Sequence, residues 1–248
     1  QAPVPAINFA FEQARAPYVG LIVDGARMLS PGVVKTSLDA FAISEDALVA
    51  VPGYHLGLQE QHLHTDAQQA LAEELALLDT VNWQKDGYQL FSISTFSGAN
   101  RRGYLQPIME CNCVLASAKN FEKIGYADTD FTMPGGGSIN LHMYRSLGML
   151  AQTRLIVLPG EGSFHQFHGG VTTSSYADRQ AEIERHRVQL HAKWPDGFHS
   201  LRREPELLGE VNPLALSFLQ ESLQRCQNRL ARRLADGLDP WPDDNAAS

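Results

Sequence analysis

Only three of the 248 residues are cysteine, too few and too unevenly placed for a disulfide framework. The odd count, with Cys111 and Cys113 one residue apart and Cys226 far away, points to reduced thiols and a cytoplasmic address. A Cys-x-Cys pair is a candidate metal clip, yet no second thiol pair exists to complete a four-ligand site. In "MECNCVLAS" the two thiols share one face of an expected strand, and core packing is the better reading. Long apolar runs are also missing: none approaches the roughly 20 residues that a bilayer crossing needs, so no transmembrane segment is expected. Positive charge is scarce, with 20 basic against 28 acidic residues and a net charge of −8. That balance argues against a nucleic-acid surface, which needs a basic face to neutralise phosphates. The N-terminal "QAPVPAINFAF" has neither a basic region nor a long apolar core, so no signal peptide is expected. Without an initiator Met, the chain is expected to be processed or to be a fragment.

What is present is an ordinary globular composition, 44% hydrophobic and 19% charged. Apolar runs alternate with segments of helical period. "YVGLIVD" (residues 18–24) reads as a buried strand after a short helix carrying Ile7, Phe11 and Ala14. "SPGVVKTSLDAFAI" predicts a helix with Ser30 as N-cap and Pro31 as first helical residue. "ALVAVPGYHL" predicts one further strand, and "YQLFSIS", "ECNCVLAS" and "RLIVLP" predict others. In "TDAQQALAEELALLDTVNW", Leu71, Leu75 and Leu78 share one helical face. The expected fold is therefore α/β, with a mostly parallel sheet flanked by helices over residues 1–175. A helical extension is expected over 176–238, followed by a disordered tail at 239–248. In the extension, Asn212 and Pro213 open a helix whose Leu219, Leu223, Cys226, Leu230 and Leu234 form a stripe. That stripe either packs on the sheet domain or is a homodimer seam.

Polar groups gather at strand ends and glycine-rich loops, where open α/β sheets bind ligands. Asp24 ends "YVGLIVD", and Glu110 opens "ECNCVLAS". Asp128 and Asp130 lie in "IGYADTDFTMPGGG", and Asn140 and His142 in "SINLHMYRS". Asp24 is equally suited to capping a turn, and Asp128 and Asp130 have the spacing of turn residues. The Gly135–Gly137 run is a candidate anion cradle, although no phosphate-loop lysine accompanies it. The stretch "GEGSFHQFHGG" delivers His165 and His168 after the run "RLIVLP". Three residues apart, they are placed either to face one ion or to bury an imidazole between Phe164 and Phe167. Trp83 is either a sugar-stacking platform or a core residue.

Read in order, these pieces resemble a family 2 glycosyltransferase of the GT-A type. "AINFAFEQARAPYVGLIVDGARMLSPGVV" is similar to the segment leading into that family's sugar-nucleotide site. "NFEKIGYADTDF" is similar to its later "W-x-x-I-GG-f-D-E-x-F" segment. "GEGSFHQFHGG" resembles a histidine-bearing loop of a bacterial subgroup. The resemblance covers roughly residues 5–175. It implies transfer of a sugar from a nucleotide-sugar donor to a carbohydrate or other hydroxyl acceptor, assisted by Mn2+ or Mg2+ as Lewis acid. It also implies metal ligation by Asp24, His165 and His168, and donor contacts at Asp24, Gly136, Asn140 and Trp83. Proton transfer then falls to Asp128, Glu110 or His142.

The departures are specific. The family's D-x-D metal motif is Asp24-Gly25-Ala26 here, without its second carboxylate. Neutral Asn140 stands in the neighbourhood of the family's acidic base. The first nucleotide-binding strand pattern, "V-x-V-x-x-P-x-x-N", is absent. Three readings follow. The chain is a glycosyltransferase domain whose N-terminal half is truncated or supplied elsewhere, a non-catalytic module of that type, or a metal-dependent hydrolase using His165, His168 and Asp24.

Overall fold

The computed structural model describes residues 2–22, 26–64, 66–106, 108, 112–133, 138–168, 176–199, 201, 203 and 205–239. Its architecture is α/β, built on two mixed sheets flanked by helices.

The first sheet sets the core. Strands β1 (Tyr18–Ile22), β3 (Ala47–Ala50), β6 (Cys113–Ser117), β7 (Arg154–Val157) and β9 (Glu206–Leu207) lie in the order β1-β6-β3-β7-β9. Its central strands are buried on both faces, which explains their near-continuous apolar runs. Alternation sorts their side chains into two layers. Leu48, Ala50, Val114, Ala116, Leu155 and Val157 enter the main core. Ala47, Val49, Cys113 and Ile156 face the other way, against Val33, Ala40 and Phe41 of helix α2 (Val33–Ile43). Burial pushes the Cys113 thiol up to about 12, so it is an inert core group.

The second sheet carries the site. It contains β2 (Arg27–Leu29), β8 (Ser163–His165), β4 (Gly53–Leu56) and β5 (Ser94–Phe96), in that order. The chain passes from β3 to β4, and from β7 to β8, so the two sheets are continuous through a parallel strand pair.

Several expectations from the sequence are corrected. The sheets are mixed rather than mostly parallel: β3 with β7, β7 with β9 and β4 with β8 run parallel, but β1, β2, β5 and β6 pair antiparallel. Strand β1 is an edge strand with Ile22 exposed, not a buried one. "ALVAVPGYHL" breaks at Val51-Pro52 into β3 and β4, because Pro52 has no N–H for a ladder; its carbonyl accepts from Ser163 N instead. Most of "YQLFSIS" lies in a 3-10 helix, Gly87–Ile93, opened by Asp86 accepting from Tyr88 N. Helix α2 is N-capped at Gly32, since Ser30 is engaged elsewhere.

Helix α3 (Ala67–Asp79), capped by Asp66, turns a different face inward from the one expected. Ala70, Glu74 and Leu78 are buried, while Leu71 and Leu75 are 44% and 54% exposed. Beyond residue 176, Leu190, Leu201, Ala215 and Phe218 join the main core, and β9 pairs with β7. Helix α7 (Leu216–Ala235) packs through Phe218, Leu219 and Ser222, leaving Leu223 and Leu234 exposed. Its expected first turn, Pro213–Ala215, is a 3-10 turn capped by Asn212. Among the described residues, no helix is long and apolar enough to cross a membrane.

The glycines before β8 answer to close packing. A Cβ on Gly160 would lie 1.8 Å from the Glu210 carbonyl oxygen, and one on Gly162 would lie 2.7 Å from the Phe164 ring. Gly160→Ala must push backbone against backbone. It should destabilise the fold by about 1–3 kcal/mol or more, read as a lowered melting midpoint in thermal or urea unfolding.

Candidate functional site

Strand β8 is short, and its alternation divides two environments. Phe164 points into an aromatic core, with ring centroids 5.3 Å from Tyr54 and 5.0 Å from Phe91. Ser163 and His165 point to the other face. There, strand register aligns Arg27, His165, His55 and Thr95 in one row across the sheet. The His55 and His165 rings lie 5.6 Å apart, and Arg27 Nη1 donates to Ser163 Oγ at 3.3 Å. The loop after β8 is held to β2 by Gln166 N donating to Ala26 O at 2.8 Å.

Buried His165 is fixed by Gln61. The Gln61 amide nitrogen donates to the His165 carbonyl at 3.0 Å and approaches Glu74 Oε2 at 3.5 Å, so its oxygen must be the acceptor facing His165 Nδ1, 2.6 Å away. His165 Nδ1 therefore carries the proton, and its Nε2 lone pair faces His168 Nε2 at 3.0 Å. Glu74 in turn accepts from Phe167 N at 2.6 Å, which shapes the loop between the two histidines. Burial raises the Glu74 pKa against the opposing hydrogen bonds from Phe167 and Gln61. His55 Nδ1 accepts from Gln61 N at 3.1 Å. The expected imidazole pair thus converges. Gln61, Glu74, His55 and Arg27 were not singled out in the sequence, although the alternation in "GYHL" does put His55 opposite Tyr54.

Beside this cluster opens a cavity of about 500 Å3 between the end of β4, the Gln61–Leu63 turn and helix α3. Leu56, Leu58, Ala70, Leu77 and Phe167 supply its apolar wall. Gln61 and Glu74 line it as well, so the cavity and the histidine cluster share a partition.

A second cluster gathers around Asp128. Its Oδ1 accepts from Asp130 N at 2.9 Å, the turn role that the spacing suggested. Its Oδ2 pairs with Lys193 Nζ at 2.7 Å and lies 3.9 Å from His142 Nε2. Burial works to raise the Asp128 pKa, but hydrogen bonds from Lys193 and the Asp130 amide outweigh it and hold the carboxyl below its ordinary range. On helix α5 (Ile139–Gly148), His142 Nδ1 accepts from Trp194 Nε1 at 3.1 Å. Indole is a donor only, so neutral His142 keeps its proton on Nε2, towards Asp128. The expected base at His142 is thereby corrected: neither ring nitrogen offers a free lone pair. Asn140 donates to Asn112 Oδ1 at 2.9 Å, and Trp83 is half-buried against the main core. Asp24, Glu110 and Gly136 lie outside the described residues. Among the described residues, no group of three or more His, Cys, Asp or Glu is placed to hold a metal ion.

Fold and site together define an α/β protein with mixed sheets and a histidine-centred polar cluster at a strand end. No protein-family model matches the chain, and no curated protein matches it.

Burial lowers the His142 pKa below its usual value, against the raising influence of Asp128. Between that lowered value and about 6.5, the unfolded chain binds the proton more readily than the native one. Stability is therefore lost as pH falls below about 6.5. His142→Gln, which keeps an acceptor for Trp194, should flatten this part of a melting-temperature profile as pH falls below about 6.5.

Proposed function

We propose that the chain is a glycosyltransferase domain that moves a sugar from a nucleotide-sugar donor to a hydroxyl acceptor, with a divalent cation, Mn2+ or Mg2+, held by His165 and His168. The observation that carries this reading is the convergence of two Nε2 atoms at 3.0 Å on the loop after β8. Gln61 supports it by accepting a hydrogen bond from His165 Nδ1–H, which leaves Nε2 as the ligating atom, a usual outer-sphere arrangement for a metal-bound histidine. When bound, such an ion would stabilise charge developing on the leaving diphosphate. Ligation through His168 Nε2 requires the tautomer with its proton on Nδ1, so cation binding replaces the hydrogen bond between the two Nε2 atoms.

The acceptor must lose a proton. Asp128 is tied to Lys193 and held acidic, which makes it a poor base. Glu74 suits the role better, because it lines the cavity beside the histidines and burial makes it hold a proton more tightly than an ordinary glutamate. In this reading Arg27, opposite His165 in the sheet, adds positive potential near the diphosphate.

A second reading, a non-catalytic module of the same type, is favoured by the closed hydrogen bonding around His142 and by Asp24-Gly25-Ala26 lacking a second carboxylate. Thermal shift with UDP- and GDP-sugars, with and without Mn2+, tests both. Transfer requires a stabilisation by nucleotide-sugar that depends on metal, about 2.7 kcal/mol at a hundredfold excess over Kd. His168→Ala should abolish it while leaving the metal-free melting temperature within a few degrees. Glu74→Gln should keep the nucleotide shift and lose turnover. No shift with any nucleotide-sugar supports the module.

A further inference from the structure

We infer that the cavity beside the histidine cluster is a binding site for the apolar aglycone of a neutral acceptor, an alkyl or aryl group whose hydroxyl-bearing end lies at Gln61 and Glu74. This rests on the glycosyl-transfer reading for the role of the bound molecule, but not for the site itself.

Three observations converge. First, about 500 Å3 falls in the range of small-molecule sites. Its apolar wall suits an alkyl or aryl body better than a sugar: Leu56, Ala70, Leu77 and Phe167 offer no hydrogen-bond partners there beyond backbone, and a sugar hydroxyl buried unpaired against them would cost binding, although Gln59, His64, Glu73 and Thr80 also reach the lining. An aliphatic or aromatic body meets no such cost. Second, the polar groups are confined to parts of the wall. Gln61 and Glu74 form the side shared with His165 and His168, so a ligand lying in the cavity directs its polar end towards the candidate reaction centre. Third, the wall carries two carboxylates, Glu73 and Glu74, on the same helix, against one imidazole, His64, which lies 3.8 Å from Glu73. Among amphiphiles, these disfavour fatty acids and lipid phosphates and leave neutral head groups.

The surroundings agree. Leu58 in the cavity wall is 83% exposed, a large cost for an aliphatic side chain unless a ligand covers it. Leu71 and Leu75 are also uncovered on α3, because the helix turns its Ala70–Glu74–Leu78 face inward. Glu74 is thus retained at a buried position between two apolar residues, where a core alone would take a leucine.

Octyl β-D-glucoside below its micelle concentration is the probe, with glucose, octanoate and octyl phosphate as controls, measured by titration calorimetry on the full chain. Octyl glucoside should bind, glucose should bind at least about tenfold more weakly, and the two anions should bind more weakly than octyl glucoside. Ala76→Trp fills the cavity from an exposed helix position and should weaken octyl glucoside about tenfold or more. Leu58→Asp, at a fully open site, should do the same and checks that lost binding is not lost folding. Glu73→Gln should narrow the gap between octyl glucoside and octanoate. Equal binding of glucose and octyl glucoside, tighter binding of octanoate, or undiminished binding in both cavity variants would overturn the proposal. The Mn2+-dependent shift with nucleotide-sugar, measured on the same variants, separates the two conclusions. Loss of that shift with octyl glucoside still bound removes the transferase reading alone, whereas its retention with no octyl glucoside bound removes the aglycone site alone.

Discussion

A buried carboxylate, Glu161, fixes the geometry on which the site depends. It sits in the turn between β7 and β8 and accepts hydrogen bonds from Ser30 Oγ, from Gly32 N at 3.2 Å and from Tyr88 OH at 2.9 Å. The same Ser30 oxygen accepts from Gly162 N, and Ser30 N donates to Gly162 O. A carboxylate removed from water is tolerable only when its oxygens are saturated this way, and losing one partner leaves an uncompensated charge. The constraint is also steric, since a Cβ on Gly32 would come within 2.1 Å of Glu161 Oε1. Burial, reinforced by Glu161, pushes the Tyr88 phenol up to about 12, so it remains a donor throughout the neutral range. Because Glu161 ties the β2–α2 junction to the start of β8, Arg27 and His165 are brought into register.

From that register the rest of the site follows by alternation. One side of β8 contributes Phe164 to a packed aromatic cluster of Tyr54, Phe91, Phe96 and Phe218, which cannot shift without opening a cavity. Its rigidity is transmitted through a single strand to His165 on the opposite face. The histidine is therefore placed by the core and not by its own loop. Gln61 and Glu74 then orient it from elements distant in sequence.

That distance decides what could be read beforehand. The two-faced strands announced themselves, because β3, β6 and β7 are apolar on both sides, and the imidazole pair stood out by its spacing and its glycines. The antiparallel pairings are not legible in the sequence: apolar content reports burial, not strand direction, so nothing in β1 and β6 distinguishes them from members of a parallel sheet. Helix α3 misled for a related reason. Leu71, Leu75 and Leu78 and the set Ala70, Glu74 and Leu78 are both helical stripes, and only tertiary context selects the second. The leucine stripe would place Glu74 on the solvent side. Ser30 and Pro31 had the pattern of a helix start, but Ser30's hydroxyl had a buried carboxylate to satisfy 131 positions away.

Two of the three singled-out histidines, His142 and His165, show why residue type alone does not identify a reactive imidazole. Both are shielded from solvent, and both hydrogen-bond through Nδ1. The partner at Nδ1 decides the outcome. Trp194 can only donate, so it consumes a lone pair of His142 and turns the remaining N–H towards Asp128, an arrangement that holds α5 to the segment after helix α6 (Tyr176–Lys193). Gln61, with its amide nitrogen already directed at a carbonyl and a carboxylate, can only accept; it consumes the N–H of His165 and leaves a lone pair facing His168. A lone pair aimed at a second imidazole is what a cation or an acidic proton requires, whereas the N–H of His142, turned towards a carboxylate 3.9 Å away, offers none. An accessible imidazole lone pair, which proton transfer at His142 and metal ligation at His165 both need, is therefore offered by only one of them, and a glutamine side chain makes the difference.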